Sequence, residues 1–295
     1  MRCYMGKYLI VNADDFGIHS AVNHAVYKAF HEGFLTSTSI IAGGKAFEEA
    51  VDLAKKMPGI GIGVHLTLVG SIPGVMPAEE IPSLTWEDGV LCQNYMKLIL
   101  RDLQGKIELD DVYREWDAQI QKVLSTGLSI THVDGHQHMH MWSRFTPIAI
   151  ELCKKYDIPC MRVSDEDFFF GFNGKNMIRS FAGTGLSLMS RLHRPMLKKN
   201  GIKTNDHFYG MLYGGHFSEE RMYHVVTRIP EGITEFMCHP ANNEKSMEDT
   251  FHWGYHGEWE LKALLSHKIK DMVKEKHIKL ISYRELNQLG VIDED

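Results

Sequence analysis

Lys7-Tyr8-Leu9-Ile10-Val11-Asn12-Ala13-Asp14-Asp15 is an apolar run that stops abruptly at two carboxylates. Such a run marks a strand buried on both faces, as in a parallel sheet. Ser20 then caps a predicted helix from Ala21 to about Glu32, closed by Gly33. Residues 36–41 predict a second strand, 46–56 a second helix ending before Met57-Pro58-Gly59, and 61–68 a third strand. This opening alternation of strand and helix decides the fold class.

The alternation continues outward. Residues 70–95 are rich in Pro and Gly and read as a long loop. A helix is predicted over 110–126, a strand over 128–134, a helix opened by Thr146-Pro147, and a short strand over 160–163. Residues 165–217 hold Phe168-Phe169-Phe170 and Phe172, read as packing residues, and one helical stretch near 177–192. A helix over 218–228, a strand over 234–238, a long helix over 258–276 and a strand over 279–281 follow. Ser282-Tyr283-Arg284-Glu285 is a capping box for a final helix. Seven or eight mostly parallel strands in 295 residues predict an α/β fold of the (β/α) barrel type. No repeat or linker interrupts the pattern, so residues 1–295 read as one domain with loop insertions near 70–95 and 165–217.

A formal charge of −6 argues against a nucleic-acid binder driven by phosphate neutralisation. Five cysteines without a Cys-x-x-Cys pair predict neither a disulfide framework nor a structural zinc site, and favour a reducing compartment. No apolar run approaches the roughly 20 residues of a membrane span. Tyr8–Val11 is too short for a signal-peptide core, so the expected location is cytoplasmic.

Polar clusters gather where predicted strands end. Asn12-Ala13-Asp14-Asp15-Phe16-Gly17 ends the first, and His65 sits in Gly63-Val64-His65-Leu66-Thr67. Thr131-His132-Val133-Asp134-Gly135-His136-Gln137-His138-Met139-His140 places four histidines in ten residues. Arg162 and His239-Pro240 close the set. Taken singly, each has a plainer meaning: paired Asp cap helices, a lone His65 is a hydrogen-bonded core residue, and Trp253, Tyr255 and Trp259 bury apolar area or stack on sugar faces. Together, five segments deliver Asp, His or Arg to the C-terminal ends of strands, where barrel active sites lie. Carboxylate and imidazole suit a divalent metal such as Zn²⁺, Mn²⁺, Fe²⁺, Co²⁺ or Mg²⁺. One Asp with two His would leave coordination positions open for water and substrate, as catalytic sites do.

These blocks, with Leu35-Thr36-Ser37-Thr38 and Glu235-Phe236-Met237-Cys238-His239-Pro240, resemble the YdjC-like family of carbohydrate deacetylases, which includes chitooligosaccharide deacetylases. The resemblance implies an irregular (β/α) barrel and one divalent metal ion, Mg²⁺ or Zn²⁺. It places metal ligands at Asp15, His65 and His136. By analogy with other metal-dependent deacetylases it assigns general base to Asp14 and general acid to His239. His132, Asp134, His138, His140 and Arg162 are implied to orient these groups or to touch substrate. The implied substrate is an acetylated amino sugar, a short chitooligosaccharide, and the implied assembly is a homodimer. Residues 165–217 depart from the family's shorter members and leave the sugar open.

Two alternatives remain. A metal-dependent phosphoesterase or amidohydrolase barrel would use the His-x-His pairs of the tract, but such a pair usually ends the first strand, which here ends in Asp-Asp. A non-catalytic sugar-binding protein on the same scaffold should have lost a base, ligand or acid, and all are present.

Overall fold

A computed structural model of the chain describes residues 6–86, 89–166 and 177–289. Phe168–Phe170 and Phe172 lie outside the described residues. The strands are β1 (Lys7–Phe16), β2 (Ser37–Ile40), β3 (Gly61–Leu66), β4 (Ile130–Gly135), β5 (Cys160–Met161), β6 (His207–Tyr209), β7 (Gly232–Cys238) and β8 (Ile278–Leu280). The first helices are α1 (Ser20–Glu32), α2 (Phe47–Ala54), α3 (Tyr95–Leu103), α4 (Leu109–Ser125), α5 (Thr146–Lys155) and α6 (Met177–Lys199). Then come α7 (Glu219–Thr227), α8 (Glu244–Phe251), α9 (Gly257–Leu264), α10 (His267–Glu275) and α11 (Tyr283–Gln288).

Seven strands pair in parallel in the order β5-β4-β3-β2-β1-β7-β6, and β8 adds to the start of β1. Parallel bridges from Glu166 to Phe208 and from Cys160 to Lys203 link the two ends of this path. The sheet therefore curls into the expected irregular barrel, continuous at six junctions and held at the last by isolated bridges.

Strand periodicity explains the interior. Side chains alternate between faces along a strand. Leu9, Val11 and Ala13 join the main core shared with the helices, whereas Ile10 packs inside with Cys160, Ile233, Ile281 and Tyr283. Asn12 and Asp14 continue on the face of Ile10. The barrel thus has an apolar floor and, above it, polar layers where branched aliphatic side chains usually dominate.

His132 belongs to the lower of these layers. Its ring stacks on Tyr283 at 3.9 Å between centroids and is fully buried. Burial, only partly offset by Asp134, pushes its pKa down to about 3, so it is neutral at physiological pH. Gly63 on the neighbouring strand makes room for it: a Cβ there would lie 2.4 Å from His132 Nε2.

Several elements differ from the sequence pattern. The predicted helix over 258–276 is two, because the Ser266 hydroxyl accepts from Ile269 N and starts α10 anew. α3, α8 and β6 escape prediction; β6 has three residues, too few to show a period. The 70–95 segment is tied down by Glu115, whose carboxylate accepts from Val75 N and Met76 N at 2.8 and 2.9 Å.

Gly63→Ala should force the stacked imidazole aside and cost about 1–3 kcal/mol, the usual penalty of overpacking. Urea denaturation measures it; an unchanged midpoint would mean that the His132 layer yields freely.

Candidate active site

Two consecutive carboxylates on a regular strand would point to opposite faces. Here Asp15 takes φ +65°, and the pairing of β1 with β2 shifts register between Ala13 and Phe16. The left-handed residue acts as a bulge that turns Asp15 back to the side of Asp14. Aspartate is among the few residues that tolerate this conformation.

Asp14 is held from below. Arg162 Nη1 and Nη2 donate to its two oxygens at 2.7 Å each, and Asn12 Nδ2 donates to Oδ1 at 2.8 Å. The same guanidinium reaches Glu235 at 2.8 Å and Asp134 at 2.9 Å. Arg162 is wholly buried, so its charge is spent on these three carboxylates. Burial pushes Glu235 up against the opposing pull of Arg162 and Tyr283, to about 7. The Tyr283 hydroxyl donates to its other oxygen at 2.5 Å.

Above this clamp sits the donor set. His65 Nδ1 and Asp134 Oδ1 are 2.8 Å apart, so Nδ1–H donates to Asp134 and Nε2 is left facing the cleft. His65 Nε2 lies 3.4 Å from Asp15 Oδ1, and His136 Nδ1 lies 2.9 Å from the same oxygen. Donors bound to one ion at about 2.1 Å lie roughly 3.0–3.4 Å apart along an octahedral or tetrahedral edge. Asp15, His65 and His136 therefore fit a divalent cation. A second trio, Asp14, His65 and Asp134, is also compact. It fits less well, because Arg162 already occupies its carboxylates and Asp134 its imidazole nitrogen.

The charge distribution agrees. Burial raises Asp15, but His136, His65 and His239 outweigh it and hold the carboxyl well below its ordinary range. Burial lowers His65, yet Asp134, Asp14 and Asp15 lift it to about 9. Three buried carboxylates thus make a pocket that stabilises positive charge.

The histidine tract divides its work. His136 follows β4 and lies beside Asp15. Gln137 and His138 then take left-handed φ values of 50° and 59°, which turn the chain sharply. His138 lines the cleft and pairs through Nδ1 with the Ser164 hydroxyl at 2.9 Å. His140 is buried and depressed to about 3 by burial, so Nε2–H donates to the Arg162 carbonyl at 3.2 Å. His132 and His140 thus stand behind the site, where neither lines the cleft.

His239 follows β7 and lines the cleft with Asp14. Glu260, fully buried, accepts from His239 N and from Phe217 N, fixing that strand end. His239 Nδ1 has no partner among the described residues. Trp253 and Tyr255 border the cleft, with Trp253 5.6 Å from the His136 ring; Trp259 stacks outside on His256.

Asn12 and Glu235 lie within the quoted sequence blocks and Tyr283 within the capping box, but nothing in those blocks marks them as parts of the clamp. A charged residue in the apolar strand Gly232–Cys238 was the available signal for Glu235.

The sequence matches the family model described as YdjC-like protein over residues 8–275. A carbohydrate deacetylase of Geobacillus stearothermophilus is 29% identical over 97% of this chain and 100% of its own length. One of Thermoanaerobacter pseudethanolicus is 29% identical over 94% and 98%. A crystal structure from Enterococcus faecalis V583, provisionally described as a cellobiose-phosphate cleavage protein, superposes with a TM-score of 0.74. It is 28% identical and the match covers 95% of this chain and 99% of that one.

Arg162→Met should destabilise the fold by about 3–5 kcal/mol, since it strands buried carboxylates without a partner; thermal or urea unfolding reads the loss. Uptake of a divalent ion should release about one proton at pH 7.5, because His65 is protonated below about 9 and must free Nε2. The release should vanish above that pH. Calorimetry in buffers of different ionisation enthalpy decides, and a buffer-independent heat would contradict it.

Proposed function

The chain belongs to the YdjC-like protein family, and on that premise we propose that it is a carbohydrate deacetylase. It hydrolyses the N-acetyl group of an amino sugar, with short chitooligosaccharides as the substrate and Mg²⁺ or Zn²⁺ as the cofactor. One observation carries this reading: a carboxylate immobilised by Arg162 stands beside a compact Asp-His-His donor set and across the cleft from His239.

Asp15, His65 and His136 would hold the divalent ion, which supplies Lewis acidity toward water and the acetyl oxygen. Asp14, oriented by Arg162 and Asn12, takes the proton of the attacking water. His239 delivers a proton to the departing nitrogen, which leaves as a neutral amine. Glu260 holds the His239 backbone, and Asp134 keeps Nε2 of His65 turned toward the cleft. Trp253 and Tyr255 offer ring faces to the sugar.

A phosphoesterase needs free cationic groups for a phosphate. Arg162 is saturated by carboxylates and absent from the cleft wall, which disfavours that alternative. No helix among the described residues is long and apolar enough to cross a membrane. The single-domain, cytoplasmic and homodimeric expectations stand as part of this proposal.

Acetate release from di-N-acetylchitobiose is the direct test. Asp14→Asn should lower the rate by about 10²–10⁴-fold with the fold retained, the usual worth of a general base. Removal of divalent ions by a chelator should abolish release and re-addition should restore it. Release that survives chelation would refute the ion's part in the reaction.

A further inference from the structure

We propose that the amino sugar taken by this site carries an apolar substituent, bound along a methionine-lined wall beside the catalytic cluster. The inference rests on the deacetylase reading and departs from its chitooligosaccharide substrate, which carries no such group.

The cleft next to Asp14, His65 and His136 opens into a cavity of about 430 Å³, within the range of small-molecule sites. Among the described residues, five methionines line it: Met96, Met139, Met189, Met211 and Met237. Ile99 and Leu186 add to the wall, and Trp142 turns its ring inward while its Nε1–H donates to Asp102 at 2.7 Å. Tyr95, Gln137, His138 and Tyr255 give the same cavity some polar atoms, but the methionines, Ile99 and Leu186 offer sugar hydroxyls no strong partner. Methionine instead makes an adaptable apolar surface that accepts flexible hydrocarbon.

A polar compartment exists elsewhere. Beyond Gln137 and Trp253 a neighbouring cavity is bordered by Lys45, Ser71, Gln93 and Asn94, the side chains suited to hydroxyl groups. This second cavity shares Gln137 with the first, and its lining includes none of Asp14, Asp15, His65, His136 or His239.

The apolar wall also extends outward. Met96 both lines the cavity and begins a stripe on α3 with Leu100 and Leu103, at 61%, 57% and 72% exposure. Their spacing of four and then three residues places them on one helix face. On α6, Leu188 and Leu192 are exposed beside the wall residues Leu186 and Met189. Seven residues of helix add about 10 Å of apolar path beyond the cavity. A chain attached to the sugar could follow it out of the cleft.

Two attachments share this chemistry: an alkyl group on the glycosidic oxygen, and an acyl chain longer than acetyl on nitrogen. The test is calorimetric binding of two probe series to the full chain, beside acid release from each. One series is the methyl, butyl and hexyl β-glycosides of N-acetylglucosamine; the other is glucosamine N-acylated from acetyl to hexanoyl. Affinity in one series should tighten at least tenfold from shortest to longest, as each fully buried methylene is worth about fourfold. The responding series identifies the attachment. Met96→Gln and Met189→Gln should each flatten that slope.

A flat profile in both series overturns the proposal, whatever the release assay gives. A slope that survives both substitutions is non-specific and overturns it too. If Leu100→Gln and Leu103→Gln dissociate a dimer in sedimentation while the slope is flat, the stripe serves self-association and the proposal fails. Failure to release acid from every probe removes the deacetylase reading alone, because a substitution-sensitive slope would still place an apolar group on this wall.

Discussion

A single buried guanidinium organises the interior of this barrel. Arg162 binds Asp14 through two hydrogen bonds and also meets Asp134 and Glu235, all without solvent. An ion pair in such a place contributes little net stability, since desolvation consumes most of the attraction. Its value is geometric. Three carboxylates that would otherwise repel are drawn to one point, and each then fixes something else: Asp14 the cleft, Asp134 the tautomer of His65, and Glu235 the hydroxyl of Tyr283.

The clamp ties chemistry to architecture. Tyr283 belongs to the apolar floor, stacks on His132 and bonds Glu235, so floor and active layer share one side chain. Displacing the floor should be felt at Asp14. The left-handed turn at Asp15 is the complementary device at the rim. Without it the second aspartate would face the helices, and the donor set would lack its carboxylate. Such local strain persists only where surrounding contacts over-determine it.

The surroundings of this cluster are unequal in chemistry. Methionines line the larger cavity together with Tyr95, Trp142 and Tyr255, and a neighbouring cavity is bordered by Lys45, Ser71, Gln93 and Asn94. On the proposed chemistry the cluster needs only an acyl group presented to it, so the walls would decide which amide arrives. A site of this kind is selected by what its substrate carries on either side of the reacting carbon.

Much was legible in the sequence because parallel strands are short apolar runs, and because barrel chemistry must sit at their C-terminal ends. Asp14, Asp15, His65, His136 and His239 could be picked out for that reason, and strand and helix alternation sufficed for the fold class. What sequence could not divide was the labour within Thr131–His140. Four histidines of like composition separate only when the strand's period and the turn at Gln137 assign each an environment: His136 beside Asp15, His138 on the cleft, His132 stacked on the floor's Tyr283, His140 behind Arg162. The parts of Glu235, Asn12 and Tyr283 were likewise unassigned, since Glu235 meets Arg162 from 73 residues away along the chain, Asn12 donates to Asp14 and Tyr283 donates to Glu235. Local pattern encodes which face a residue takes; only closure of the barrel decides what that face meets, because contacts across its interior join strands remote in sequence.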